Sequence, residues 1–207
     1  MNTKSLILKL PLYVQCDKSI VLEIVKLNSS EFQYVQPELK KDNDIVWVAI
    51  EDNPKLLEYA DDKIKNNLNI AKYCLKEIIK NDFRTSKINA CQTVYELYSY
   101  VVTISSYFIL LAPDMLKKDY NIGFKAVTFD GLALGKLDIS LQDNLKIVLQ
   151  ALETDLDSGE KIIKCASERI QNIVGTEQMI DKLKIAIFSE KLDNDLPESY
   201  SCKKAKI

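Results

Sequence analysis

Apolar residues in the first third of the chain recur at the spacing of one face of an α-helix. The i, i+1, i+4, i+5 pattern occurs twice, at Ile20, Val21, Ile24 and Val25 and again at Ile45, Val46, Ala49 and Ile50. A second apolar set follows each group at i, i+3, i+7, formed by Phe32, Val35 and Leu39 and then by Leu57, Ala60 and Ile64. Each unit is therefore predicted to be a pair of short helices.

Polar residues between the apolar sets predict where the helices of each pair meet. Asn28 is followed by two serines, and Asn53 is followed by Pro54. Asparagine side chains accept hydrogen bonds from the free amides at a helix start, and proline suits the first turn because no amide donor is needed there. Asn28 or one of the two serines after it, and Asn53 in the second unit, are therefore predicted to cap the second helix of each pair.

The two units are copies of one another at a constant offset of 25 residues, since residues 17–42 align with residues 42–67. Aspartate, isoleucine-valine, asparagine, tyrosine and lysine recur at matched positions along this alignment. A helix pair of this length cannot bury its apolar face alone, so neighbouring units are expected to stack. The predicted fold class is all-α, with degenerate tandem helix-pair repeats stacked into a compact or solenoid-like helical domain.

Later parts of the chain keep this pattern unevenly. Residues 147–155 match residues 45–53 position by position, and the surrounding segment 112–192 is predicted to hold degenerate helix pairs. Residues 68–111 lose the register and are predicted to form longer, irregular helices. The expected organisation is a cap with two repeats over 1–67, the irregular segment 68–111, the degenerate repeats 112–192 and a flexible tail over 193–207.

The pattern D-x-x-I-V-x-x-A-I-x-x-N followed by L-x-Y-A-x-x-x-I-K, seen between Asp42 and Lys65, resembles a short tandem helical repeat family of unknown function. That family occurs in many copies in proteins of intracellular bacterial pathogens, including secreted effectors. The resemblance is clear over residues 17–67 and loose over 112–190. It implies a helical scaffold and brings no catalytic residues with it.

Composition narrows the classes of fold and partner. Only five glycines and five prolines occur in 207 residues, too few turn-forming residues for an all-β sandwich or barrel. A formal net charge of -2 offers no basic surface for a phosphate backbone, so no nucleic-acid partner is expected. The basic cluster of Lys203, Lys204 and Lys206 is interpreted as a solvated tail.

Cysteine usage and the N-terminal sequence predict a reducing compartment. The five cysteines contain no CxxC pair, which argues against a disulfide framework or a four-thiolate zinc site. Lys9 and Pro11 interrupt the apolar run near the N-terminus, which therefore makes a poor signal peptide. The protein is expected in the cytoplasm, or in a host cell after secretion without a cleavable signal peptide.

Catalytic chemistry finds little support in the chain. Histidine is absent, which removes Ser-His-Asp and Cys-His catalysis and imidazole metal ligation, and no glycine-rich phosphate loop occurs. No cofactor or metal is therefore expected. The alternative is a carboxylate- and metal-dependent enzyme, whose loose candidate ligands are Asp155, Asp157 and Glu160, or Asp130 and Asp138.

A second alternative concerns the uncharged stretch from Leu97 to Pro113. Its apolar residues 97–111 form a candidate for membrane association, but the stretch contains several hydroxyl side chains and only just reaches the length of ~17 residues needed to span a bilayer. A single central buried helix is the favoured interpretation, and membrane association is disfavoured.

Aromatic residues give the candidate partner contacts. Tyr95, Tyr98 and Tyr100 cluster in the irregular middle, and Trp47 falls in the second repeat at the position of Leu22. Tyrosine and tryptophan are enriched at protein interfaces, although filling the core is the alternative role for each. The sequence thus predicts a non-enzymatic protein-interaction module, an effector or a regulator or inhibitor of an unidentified host or bacterial protein.

Overall fold

The computed structural model describes residues 5–80, 84–175 and 178–195. No β-strand occurs within these ranges, and helices account for most of the described residues, which confirms the all-α fold class. The chain divides into two compact units, Met1–Lys117 and Lys118–Ile207. The boundary falls within the segment predicted to hold the later degenerate repeats.

The first unit contains α-helices α1 (Leu12–Gln15), α2 (Lys18–Leu27), α3 (Asn43–Asp52), α4 (Asp62–Lys65), α5 (Leu68–Ile79), α6 (Arg84–Ala90), α7 (Val94–Val101) and α8 (Asp114–Lys117). Its 3-10 helices are Ile7–Lys9, Ser29–Tyr34, Leu39–Lys41, Pro54–Tyr59 and Ser106–Leu111. The second unit contains α9 (Tyr120–Phe129), α10 (Ile139–Gln142), α11 (Leu145–Thr154), α12 (Gly159–Cys165), α13 (Glu168–Val174) and α14 (Met179–Asp195), with a 3-10 helix at Gly131–Lys136.

Short polar side chains fix where the α-helices begin. Asx residues accept backbone amide hydrogen bonds at the starts of α2, α3, α5, α9 and α11, and they are Asp17, Asp42, Asn67, Asp119 and Asn144. A cap of this kind contributes about 1 kcal/mol. Asn28 and Asn53 accept amide hydrogen bonds at the starts of the next 3-10 helices, as the sequence predicts.

The second helix of each pair is not the continuous helix that the sequence predicts. In the second repeat a 3-10 helix ends at Ala60, whose ψ of 160° is extended, and α4 starts afresh with Asp61 accepting the Lys63 amide. In the first repeat Val35 is extended in the same way, two residues before Pro37. Because side chains three residues apart align in a 3-10 helix, the i, i+3 spacing fits this broken arrangement as well.

From α7 onward, the segment predicted to have lost the repeat register resumes the earlier order of elements. Helix α7 is followed by the 3-10 helix Ser106–Leu111 and then by the short α8, as α3 is followed by Pro54–Tyr59 and α4. Thr93 and Ser105 provide the two caps where the earlier repeats use aspartate and asparagine. The prediction of longer irregular helices was therefore wrong for this part, because the change of cap residue concealed the recurrence.

The single central helix expected from Leu97 to Pro113 is also absent. Helix α7 ends at Val101, and the Thr103 hydroxyl donates to the Tyr100 carbonyl 2.7 Å away. Such local hydroxyl bonds compete with helix continuation. No helix among the residues that the structure describes is long and apolar enough to cross a membrane.

The core of each unit lies between its α-helices and its 3-10 helices. In the first unit α2 packs against α3, and the 3-10 helices Ser29–Tyr34 and Pro54–Tyr59 both pack against α3. The side chains of Phe32, Ile45 and Leu57 are fully buried there. In the second unit α11 packs against α9, α14 and the 3-10 helix Gly131–Lys136. These contacts leave one face of α3 exposed.

A buried carboxylate joins the N-terminal segment to the first repeat. Glu31 accepts hydrogen bonds from the Ser5 hydroxyl and, at 3.0 Å, from the Ile7 amide. Burial alone would raise the pKa of Glu31, but these hydrogen bonds outweigh it and the pKa lies below the ordinary value. The ionised form is therefore the one that stabilises this contact.

Glu31→Gln is expected to lower the free energy of unfolding by about 1 kcal/mol at pH 7, since it removes the charge from these hydrogen bonds. A carboxyl with a depressed pKa stabilises the fold above its unfolded-state pKa, near 4.5, and loses that contribution as the pH falls through its folded pKa. Urea denaturation at pH 7 and pH 3 should therefore show a smaller difference between the two proteins at the lower pH. An equal difference at both pH values would contradict a role for the charge.

Candidate functional site

Trp47 lies on the exposed face of α3 and retains 43% of its surface exposed. Its ring contacts the ring of Tyr73 on α5, with centroids 5.0 Å apart and planes inclined by 37°. Such an offset pair is favourable by about 1 kcal/mol beyond the area it buries. Trp47 therefore both packs within the first unit and remains available to a partner.

A groove of about 530 Å³ lies beside Trp47 and is here termed the α3 groove. It is lined by Leu22, Asn43, Asp44, Val46, Trp47, Val48, Asn67 and Ile70. The groove thus draws residues from α2, α3 and the start of α5. Apolar side chains with a few polar groups at the edge are typical of binding sites.

The charged side chains of α3 are all negative, and one of them, Asp44, lines the α3 groove. Helix α3 and its cap contain Asp42, Asp44, Glu51 and Asp52 and no basic residue. The Lys18 ammonium lies 2.9 Å from Asp42 and 2.6 Å from Asp44, and these hydrogen bonds raise the pKa of Lys18. The side chain of Asp52 accepts a 2.5 Å hydrogen bond from Ser29. Glu51 forms no ion pair with any other residue that the structure describes.

One protein-family model matches the chain, and the matched residues include α3. The model of a family described as a domain of unknown function (DUF4116) matches residues 17–65. The DUF4116 match runs from the cap of α2 to the end of α4, and so it includes Trp47 but not Tyr73. Neither the curated proteins nor the solved structures contain a significant match to the chain.

Tyr98, predicted as a partner contact, is instead a core residue. Its side chain is fully buried, and its hydroxyl donates to the Leu111 carbonyl at 2.7 Å. Burial also raises the pKa of Tyr98 well above the ordinary value. Because α7 packs against α5, α6 and the following 3-10 helix, the face that carries Tyr98 is closed to a partner.

The two other tyrosines predicted on α7 remain accessible. Tyr95 is 41% exposed, and Tyr100 is partly exposed. The Lys87 ammonium lies 4.3 Å from the centroid of the Tyr100 ring, within the range of a cation–π interaction. The ring that contacts Trp47 is Tyr73, which the sequence reasoning missed. The repeat offset of 25 residues places Lys72 at the position of Trp47, so the alignment did not point to Tyr73.

Three of the five candidate metal ligands accept hydrogen bonds from nearby backbone amides. Asp155, Asp130 and Asp138 accept hydrogen bonds from the backbone amides of Ser158, Leu132 and Ser140. Asp157 and Glu160 are exposed at the start of α12. Within the described residues, no three acidic or cysteine side chains come together in a way that could hold a metal ion.

The described cysteines are free thiols in different environments. Cys74 and Cys91 are buried, and burial raises the pKa of Cys74 to about 12. Such a thiol stays protonated at neutral pH and is a poor nucleophile. Cys16 is exposed and Cys165 is partly exposed. Cys202 lies outside the described residues, as do the lysines of the predicted basic tail.

An aromatic pair on α9 provides a natural comparison with Trp47. Phe124 follows the α9 cap at the same distance as Trp47 follows the α3 cap, and its ring stacks on Tyr120 with centroids 6.0 Å apart. Tyr120 is 41% exposed, close to the value for Trp47. The residue one turn after Phe124 is Thr128, where α3 has a carboxylate.

Proposed function

We propose that the chain is a non-enzymatic protein-interaction module that binds a partner protein through the α3 groove. The observation that carries this proposal is the half-exposed Trp47, held against Tyr73 beside an open groove. Tryptophan and tyrosine contribute most of the binding energy at many interfaces because they bury a large area with few rotatable bonds. The rigid pair therefore loses little entropy on binding.

The edge of the α3 groove supports the same proposal. Asn43, Asp44 and Asn67 line the groove together with apolar side chains, and their polar groups can hydrogen-bond to a partner or to water. An apolar centre with a polar rim is the usual arrangement of a protein interface. The proposed role is that of a regulator or an effector that acts by occupying a surface of its partner.

The test compares three immobilised proteins: the unmodified chain, Trp47→Ala and the matched control Tyr120→Ala. Each is incubated with bacterial and host-type lysates, and the retained proteins are quantified by mass spectrometry. Loss of a hot-spot tryptophan costs about 2 kcal/mol or more, so capture of the partner should fall by about 30-fold. Circular dichroism establishes that both variants remain folded.

The control variant Tyr120→Ala removes an equally exposed ring from the second unit, and it is expected to capture the partner protein as well as the unmodified chain does. Equal retention by all three proteins would contradict binding at the α3 groove. Equal loss with both variants would also contradict it, since the effect would then not depend on the groove.

A further inference from the structure

The aromatic pair in the first unit has a carboxylate one helical turn beyond each ring. Glu51 follows Trp47 by four residues on α3, and Glu77 follows Tyr73 by four residues on α5. Side chains four residues apart lie on the same face of a helix. Both glutamates are exposed. The two rings and the two carboxylates therefore belong to one surface, here termed the acidic aromatic site.

The carboxylates of Glu77 and Glu51 both affect the pKa of the Tyr73 hydroxyl. Burial raises the pKa of Tyr73, and the negative charges of Glu77 and Glu51 raise it further. Each charge therefore lies close enough to act on the same ring, although the two glutamates belong to different helices. This agrees with the placement that the helical spacing gives.

The two carboxylates are also not neutralised by neighbouring ammonium groups. Neither glutamate forms an ion pair with a residue in the part of the chain that the structure describes. Lys26 pairs with Glu23 at 2.7 Å, and the Lys72 ammonium donates to the Asn89 carbonyl at 2.9 Å. Lys76, beside Glu77 in sequence, is the remaining ammonium on α5 itself, and Lys80, three residues after Glu77, is the C-cap of this helix. Over α2, α3 and α5 with their caps, seven carboxylates outnumber five ammonium groups.

We propose that the acidic aromatic site binds a basic segment of the partner protein, with an arginine or lysine side chain on the Trp47 and Tyr73 rings and its charge against Glu51 and Glu77. This inference rests on the proposed function and specifies the chemistry of its partner. A cation over an aromatic face is attracted by the negative potential of the ring, most strongly with tryptophan. Arginine also forms forked hydrogen bonds to carboxylates, which adds direction to the attraction.

Other partner segments fit this surface less well. A wholly apolar segment would remove Glu51 and Glu77 from water without offering them a partner, and burying an unpaired charge is costly. An acidic segment would be repelled by the same two carboxylates. A basic segment can form cation–π contacts with the rings and ion pairs with the carboxylates at the same time.

The single tryptophan of the chain provides a direct signal, because Trp47 lies in the acidic aromatic site itself. The probes are short synthetic peptides of matched length that are rich in arginine, lysine, glutamate or neutral serine. Each is titrated into the full chain while Trp47 fluorescence is recorded, at low and at physiological ionic strength. We expect a saturable change with the arginine and lysine peptides, with weaker binding at the higher ionic strength.

The charge-neutralising variant Glu51→Gln/Glu77→Gln keeps both rings and is expected to bind the arginine peptide about tenfold more weakly or worse. The matched control is Asp157→Asn/Glu160→Gln, which removes two exposed carboxylates from the second unit and changes the net charge equally. The control should bind the peptide like the unmodified chain. Melting curves of both variants establish that they are folded.

Three results would overturn this inference. They are the absence of a fluorescence response to either basic peptide, an equal response to the glutamate or serine peptide, and an equal loss of affinity in the control variant. The capture experiment with lysates distinguishes failure of this inference from failure of the proposed function. If Trp47→Ala loses the partner while the glutamine variant retains it, the partner binds at Trp47 without using the two carboxylates. If Trp47→Ala retains it, the groove itself is not the binding site.

Discussion

Tyr98→Ala is expected to lower the free energy of unfolding by about 4 kcal/mol, a large fraction of the stability of a small domain. The side chain is fully buried on α7, where α5, α6 and the 3-10 helix Ser106–Leu111 pack around it. Truncation leaves a cavity the size of a phenol ring and removes the hydrogen bond to the Leu111 carbonyl. Urea denaturation followed by circular dichroism measures the difference.

Two further variants on α7 separate the contribution of the Tyr98 hydrogen bond from that of its buried ring. Tyr98→Phe keeps the ring but leaves the Leu111 carbonyl without its donor, and should cost about 1–2 kcal/mol. Tyr95→Ala, three residues earlier, removes a ring that is 41% exposed and should change stability by less than about 1 kcal/mol. Equal destabilisation by Tyr95→Ala and Tyr98→Ala would contradict the burial of Tyr98.

Gly131→Ala is expected to destabilise the second unit by about 3 kcal/mol, at the upper end of the usual cost of overpacking. A Cβ atom at Gly131 would lie 2.4 Å from the Ala151 carbonyl oxygen and 2.8 Å from the Ile162 Cδ1 atom. The carbonyl is part of α11 and accepts the Asp155 amide, so it cannot move without disturbing the last turn of that helix. Thermal unfolding followed by circular dichroism tests this.

The matched control is Gly159→Ala, because a Cβ atom there would meet its nearest neighbour at 3.6 Å, an ordinary contact. This substitution should leave stability unchanged or raise it by about 0.5 kcal/mol, since alanine restricts the unfolded chain more than glycine does. A Gly131→Ala protein as stable as the Gly159→Ala protein would show that the 3-10 helix can move away from α11 at little cost.

Local sequence signals predicted the strongest elements of the fold. The apolar faces of α2 and α3 and the caps Asn28 and Asn53 all follow from residues within a few positions of one another. Capping depends on one side chain and the amides next to it, and a helical face depends on spacing alone. The repeat at an offset of 25 residues located these features without knowledge of distant contacts.

The same signals failed where one pattern fits two conformations. Phe32 and Val35 have the spacing of an α-helix and also that of a 3-10 helix, so the break after each 3-10 helix was missed. In the middle of the chain Thr93 and Ser105 cap elements as aspartate and asparagine do elsewhere. An alignment by residue identity therefore missed the recurring order of elements from α7 to α8, whereas the hydrogen bonds of the caps show it.

Some residues of the candidate site were predicted from the sequence, and others were found only in the structure. The sequence supplied Trp47, because a tryptophan on a helical face is recognisable as a candidate contact wherever it occurs. It did not supply Tyr73 or Glu77, because their place beside Trp47 depends on how α5 lies next to α3. That relation is set by the packing of both helices on the 3-10 helix Pro54–Tyr59.

The sequence by itself determined that this protein is helical, which positions form the apolar faces of α2 and α3, and that it carries no histidine-based chemistry. The tertiary structure decided which side chains a partner can reach. Tyr95 and Tyr98 lie on one helix in similar sequence surroundings, yet one is exposed and the other is fully buried. The physical reason is that capping and periodicity are local, whereas burial depends on contacts between residues far apart in the chain.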